Sequence, residues 1–174
     1  MLREHLIRAH PPRDGDFRWR GDGVSRIEGL SDAVFGFAIT LLVVSLEVPR
    51  TYAELTAMYG AQSFAAFAVC FATVGLIWYD HHLFFRRYGL ADRTTTALNL
   101  ALLFVVLFYV YPLKFLATML LGMLLSALGV VEGAWPVGRM IEARDVAGLM
   151  TMYGTGWMLL YGIYLALYAH ALRQ

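Results

Sequence analysis

The chain is 174 residues long, 59% of them hydrophobic and only 16% charged, with a mean hydropathy of +0.59. Soluble domains hold roughly 45–50% apolar and about 25% charged residues, so the excess apolar surface here must meet lipid or other membrane-buried helices. A formal net charge of +1 lacks the strongly basic face of a nucleic-acid binder, and a single cysteine, Cys70, excludes an intrachain disulfide framework and a thiolate metal cluster.

Before residue 30 the chain carries Arg3, Arg8, Arg13, Arg18, Arg20 and Arg26 and no apolar run, which excludes a cleavable signal peptide. Residues 1–24 are expected to form a solvated basic arm, partly disordered around Pro11, Pro12 and Gly15. A helix needs about 20 mostly apolar residues to cross a ~30 Å hydrocarbon core. Four runs qualify: Leu30 to Val48, Ala61 to Tyr79, Ala97 to Leu116 and Ala147 to Ala169. They predict helices over about 25–48, 55–86, 92–116 and 145–172 in one transmembrane domain, residues 25–174, of an all-α polytopic bundle. The stretch 115–131 is apolar enough for a short fifth crossing. Lys114, Gly122 and Gly129 interrupt it, so 117–144 is expected to continue helix 3 outward or to lie at the outer interface, closed by Trp135 and Pro136.

Basic residues set the orientation. The arm holds six arginines, the connection after helix 1 only Arg50, that after helix 2 Arg86, Arg87 and Arg93, and the tail Arg173. Positive charge stays inside, which predicts cytoplasmic termini and an even number of crossings.

Polar residues in spanning helices are the candidates for function. A carboxylate at the bilayer centre costs at least ~2.5 kcal/mol and less near an interface, so Asp32, just inside helix 1 after Ser31, is the most informative side chain. An N-terminal cap, with Arg26 nearby, accounts for Ser31 and Asp32 equally well. Trp78-Tyr79-Asp80-His81-His82 ends helix 2 at the same depth, within reach of that carboxylate and hydroxyl. Adjacent histidines on a helix point about 100° apart and share a metal poorly, so a hydrogen-bond network is favoured over a metal site. Further along helix 1, Phe37, Leu41 and Val44, with Thr40 beside them, share one face, and Asp32 lies roughly 130° away from it. Such a stripe is ordinarily helix packing. No nucleophile–base set, Gly-rich phosphate loop or inward carboxylate pair argues for an enzyme.

Arg26, then Leu30-Ser31-Asp32 and Ala33 to Val44, resembles the first-helix signature Arg-x-x-x-Phe-Ser-Asp of the transmembrane protein 175 family of potassium channels. Trp78-x-x-His81-His82 ending helix 2, and Leu98-Asn99-Leu100 opening a helix 3 that closes near Pro112, are similar to bacterial members of that family. The resemblance covers residues 24 to about 116 well and helix 4 loosely. It implies a homotetramer in the bacterial inner membrane, with helix 1 of each subunit lining a central axis and potassium, not a bound cofactor, as the permeant species. On that mapping Phe37, Leu41 and Val44 form apolar constrictions and Thr40 offers a hydroxyl to a partly dehydrated ion. Arg26, Ser31, Asp32, Trp78, His81 and Asn99 become an interhelical network that holds helix 1.

Three features depart from the pattern. Leu30 replaces the motif phenylalanine, Phe37 stands where isoleucine is usual, and four helices are expected where bacterial relatives commonly have six. A narrow apolar constriction would give modest cation selectivity. A non-conducting membrane scaffold or sensor, and a proton-permeable channel, are the alternatives.

Overall fold

The computed structural model of the chain describes residues 13–14, 17–18, 23–44, 51–52, 61–129 and 144–174. Four long helices carry the architecture: α1 (Arg26–Val44), α2 (Ala61–Tyr88), α3 (Arg93–Ala127) and α4 (Val146–Ala171). Ahead of them β1 (Arg13–Asp14) pairs antiparallel with β2 (Phe17–Arg18), Arg13 opposite Arg18. This ladder lies where composition predicts a solvated arm, because two-residue strands carry no readable alternation.

Ser25 and Glu28 start α1 with a reciprocal capping box. The Glu28 N–H donates to Ser25 Oγ at 3.2 Å, and the Ser25 N–H donates to Glu28 Oε2 at 2.7 Å. The cap therefore sits almost two turns before Ser31 and Asp32, which the sequence reading weighed for that role. At the start of α3 the cap is Asp92, whose carboxylate accepts from the Thr94 and Thr95 N–H groups.

Helix α3 packs against each of the other three, and α1 also packs on α2. The α1 start, α2 end, α3 start and α4 end share one end of the bundle, joined by bonds from Asn99 to Ser31 and His81 and from Asp92 to His170. Inside lie Phe35, Ala38 and Leu42 of α1, Val74 and Phe85 of α2, Leu102 and Val106 of α3, and Leu167 of α4. Large apolar side chains also point outward: Leu76, Phe104, Phe108 and Leu165 are 63–71% exposed in the subunit. Helices apolar on both their inner and outer faces are those of a membrane protein.

The four expected spans differ in strength. Phe64–Tyr88 of α2 and all of α3 are long and apolar enough to cross a bilayer. Helix α1 carries Arg26, Glu28 and Asp32 in its first two turns, and α4 has no Asp, Glu, Lys or Arg but is diluted by glycine and tyrosine.

Helix α3 runs past the expected spanning limit of 116 to Ala127. Pro112 withholds one N–H from the ladder, and the Tyr153 hydroxyl of α4 bonds to the Pro112 carbonyl, tying α3 to α4 at this point. Leu, Met and Ala then keep the helix going until Gly129, whose positive φ of 68° suits glycine and whose N–H bonds Ser126 O at 3.1 Å. Residues 117–127 thus continue helix 3 outward. The expected helical residues 45–48 and 55–60, and the closing pair Trp135 and Pro136, lie outside the described residues.

Candidate functional site

The basic end of the bundle holds a buried polar chain across three helices. The Ser31 hydroxyl donates to Ile27 O at 2.8 Å and accepts from Asn99 Nδ2 at 3.0 Å. Asn99 Oδ1 lies 2.8 Å from His81 Nε2. With the amide nitrogen committed to Ser31, Oδ1 faces the imidazole, and only a protonated Nε2 can donate to it. The three side chains are at most 2% exposed. Phe35 and Phe85 flank the imidazole with ring centroids 5.6 and 4.7 Å away. Buried polar groups need such partners, and Asn99 supplies one to each neighbour at once.

Asp32 takes a separate branch. Trp78 Nε1 donates to its carboxylate at 2.8 Å, and the indole stacks on His82 at 5.6 Å. Both members of this pair are exposed in the isolated subunit. Arg26 is exposed too, and its side chain makes no hydrogen bond with another described residue. The six residues anticipated as one network therefore fall into a buried triad (Ser31, Asn99, His81), an exposed pair (Asp32, Trp78) and Arg26, which joins neither. The adjacent histidines diverge: His81 enters the core and His82 lies against the indole.

Farther along α1 the two faces are opposite in character. Phe35, Ala38 and Leu42 are buried within the subunit, whereas Phe37 is 67% and Leu41 47% exposed. Thr40 is also exposed, and its hydroxyl donates to Phe37 O at 2.8 Å. That bond uses the hydroxyl proton and leaves lone pairs on Oγ1 free to face a cation. The side chain of Val44 lies outside the described residues.

Two further ties were not foreseen from the sequence. Asp92 accepts from His170 Nε2 at 2.9 Å, binding the start of α3 to the last turn of α4. The Thr95 hydroxyl, foremost, and the His170 bond hold the Asp92 carboxyl down to about 2. The Tyr164 hydroxyl donates to Ile77 O at 2.7 Å, joining α4 to α2 just before Trp78. Neither partner pair is near in sequence, so only a polar residue on an otherwise apolar helix end gives either away.

The comparisons agree on one family. Residues 26–109 match the family described as the endosomal/lysosomal potassium channel TMEM175. A "Potassium channel" of Marivirga tractuosa is 40% identical over 91% of this chain and 64% of its own length. A potassium channel of Streptomyces collinus is 40% identical over 53% of this chain and 47% of its own length. The chain thus spans about half to two thirds of the length of these relatives. A crystal structure of the potassium channel MtTMEM175, as a variant in complex with a nanobody–MBP fusion protein, superposes with a TM-score of 0.84 at 39% identity, covering 92% of this chain and 68% of that one. Its helices match those described above, so the chain is a membrane protein and belongs to the TMEM175 family.

Proposed function

We propose that the protein is a passive, potassium-permeable cation channel, assembled as a homotetramer with α1 of each subunit around a central axis. The observation that carries this reading is the free face of α1. Phe37, Thr40 and Leu41 are left uncovered while the opposite face packs on α2 and α3. The potassium-channel relatives described above support it. Four Phe37 rings and four Leu41 side chains at such an axis make an apolar constriction narrow enough to exclude water, and so set a low basal flux. Selectivity then comes from the Thr40 oxygens between the rings. The triad of Ser31, Asn99 and His81 and the Asp32–Trp78 pair fix the rotation of α1 that aims this face inward. The membrane is the bacterial inner membrane, with both termini in the cytoplasm on the side of Arg86, Arg87 and Arg93.

The test is ion flux from liposomes holding the purified tetramer, under separate potassium, sodium and proton gradients. Potassium flux that rises in Phe37→Ala, with Leu41 as the weaker remaining barrier, is the expected result. Folded tetramers that stay silent in Phe37→Ala and in the combined alanine variant of Phe37, Leu41 and Val44 would refute conduction and leave a scaffold. Flux driven only by the proton gradient would assign the same pathway to protons.

A further inference from the structure

Between α2, α3 and α4, away from the free face of α1, the bundle leaves a cavity of about 40 Å³. Val74, Ile77, Val106, Val110, Gly156 and Trp157 supply much of its wall. Three lining residues carry hydroxyls, and each is already donating to a backbone carbonyl: Thr73 to Val69 O at 2.8 Å, Tyr109 to Met152 O at 3.2 Å, and Tyr153 to Pro112 O. The exposed wall is nonetheless almost wholly hydrocarbon, so it falls short of the two to four polar partners that an internal water needs. A cation fares worse in it than a water does.

The depth of the cavity selects its occupant. At 1.5 Å per residue, Val105 to Tyr109 lie about 18–24 Å from Arg93, and Thr73 to Ile77 about 17–23 Å from the end of α2. Gly156 to Leu160 lie about 17–23 Å from the end of α4. Half of a ~30 Å hydrocarbon core, plus the few ångströms by which arginines reach their headgroups, places all three segments near the bilayer centre. The ends of lipid chains meet there. A cavity of ~150 Å³ takes benzene, so this smaller one suits the end of a chain rather than a ring. We propose that the cavity seats the terminal carbons of an acyl chain of a bilayer phospholipid, wedging hydrocarbon between α4 and the α2–α3 pair. The site requires that the bundle cross the bilayer and is independent of whether it conducts.

Trp157 in the wall reports on it. The protein is reconstituted into phosphatidylcholine vesicles whose chains are brominated either at the end or close to the headgroup, and its emission is compared with that of Trp157→Phe to isolate Trp157. Chain-end bromine should quench Trp157 several-fold more than bromine near the headgroup. Val106→Leu, which fills the cavity without moving Trp157, should remove most of that excess. Emission should stay quenched when unbrominated free fatty acid is added; emission that free fatty acid restores overturns a phospholipid chain as the occupant. Equal quenching at both positions in the native protein overturns the proposal without recourse to any variant. A chain-end excess that persists in both Val106→Leu and Val110→Leu overturns it as well, because it then arises from bulk lipid. Failure of potassium flux leaves these readings untouched, whereas a Trp157 that no bromine quenches removes the crossing itself.

Discussion

Replacing Asn99 by leucine tests the buried triad, since the two side chains have similar volume and only the hydrogen bonds are lost. Asn99 makes two, at 2.8 Å to His81 and 3.0 Å to Ser31. Ser31 keeps its bond to Ile27 O, so its loss is one acceptor contact, about 0.6 kcal/mol for an interhelical bond in a membrane. The His81 Nε2–H has no second route to water in a site only 2% exposed, and stranding it costs about 1–3 kcal/mol. The sum is about 1.6–3.6 kcal/mol of destabilisation for one isosteric change. Thermal melting of the detergent-solubilised protein, followed by tryptophan emission, reads it. Adding His81→Phe removes the stranded donor, so the double variant should recover more than 1 kcal/mol relative to the sum of the single changes, well outside the ~0.5 kcal/mol scatter of independent sites. Native melting of Asn99→Leu, or strict additivity with His81→Phe, would refute the triad as the joint of α1, α2 and α3.

Asp32→Ala should lower the stability of the assembly by about 1 kcal/mol or less through loss of its exposed Trp78 bond, with ion preference unchanged; unaltered melting with altered preference would make the carboxylate a pore group. For Asp92 the folded-state pKa, about 2, lies below the ordinary 3.8, so the unfolded chain binds the proton first. Its contribution is therefore complete above about pH 4 and fades as pH falls toward 2, and Asp92→Asn should flatten the acid limb of a melting-versus-pH curve in that window. A Cβ at Gly156 would come within 2.2 Å of the Tyr109 ring, so Gly156→Ala should cost about 1–3 kcal/mol by overpacking, and Tyr109→Leu should relieve it in a double-variant melt.

Composition and run length made the helical membrane bundle legible, because both follow from the solvent. The free stripe of α1 was legible too, since Phe37 and Leu41 stand one turn apart. What failed is instructive about neighbours. Asp32 drew attention as the carboxylate inside helix 1, but a step of one residue turns the side chain by about 100°, and it is Ser31 that enters the core. Arg26 lies one to two turns from Asp32 in sequence, yet a long exposed side chain has no packing that would hold it there. The capping box has the local pattern Ser25-x-x-Glu28, which competes in the sequence with the later Ser31-Asp32 pair. The Asp92–His170 tie joins residues 78 apart, which no local pattern encodes. Pro112 reads as the end of the spanning part of α3, and composition leaves open whether 117–127 continues that helix or lies at the outer interface. The partner of the Pro112 carbonyl, the Tyr153 hydroxyl, comes from another helix.

The length of α3 has a mechanical side. Thirty-five residues make a rod of about 52 Å, and only a tilt of about 55° would fit it within a 30 Å hydrocarbon slab. Spanning helices rarely lean beyond about 40°, so the far end of α3 must stand out of the slab by several ångströms at any permitted angle. Those last turns include Leu120, Met123 and Leu124, each at least 50% exposed in the subunit, so water against them is unfavourable. A thicker bilayer lets α3 rise toward the normal, and a thinner one presses it over. Because α3 also carries Asn99 at its other end, a change in the tilt of α3 would be felt where it is bonded to α1 and α2 through Ser31 and His81.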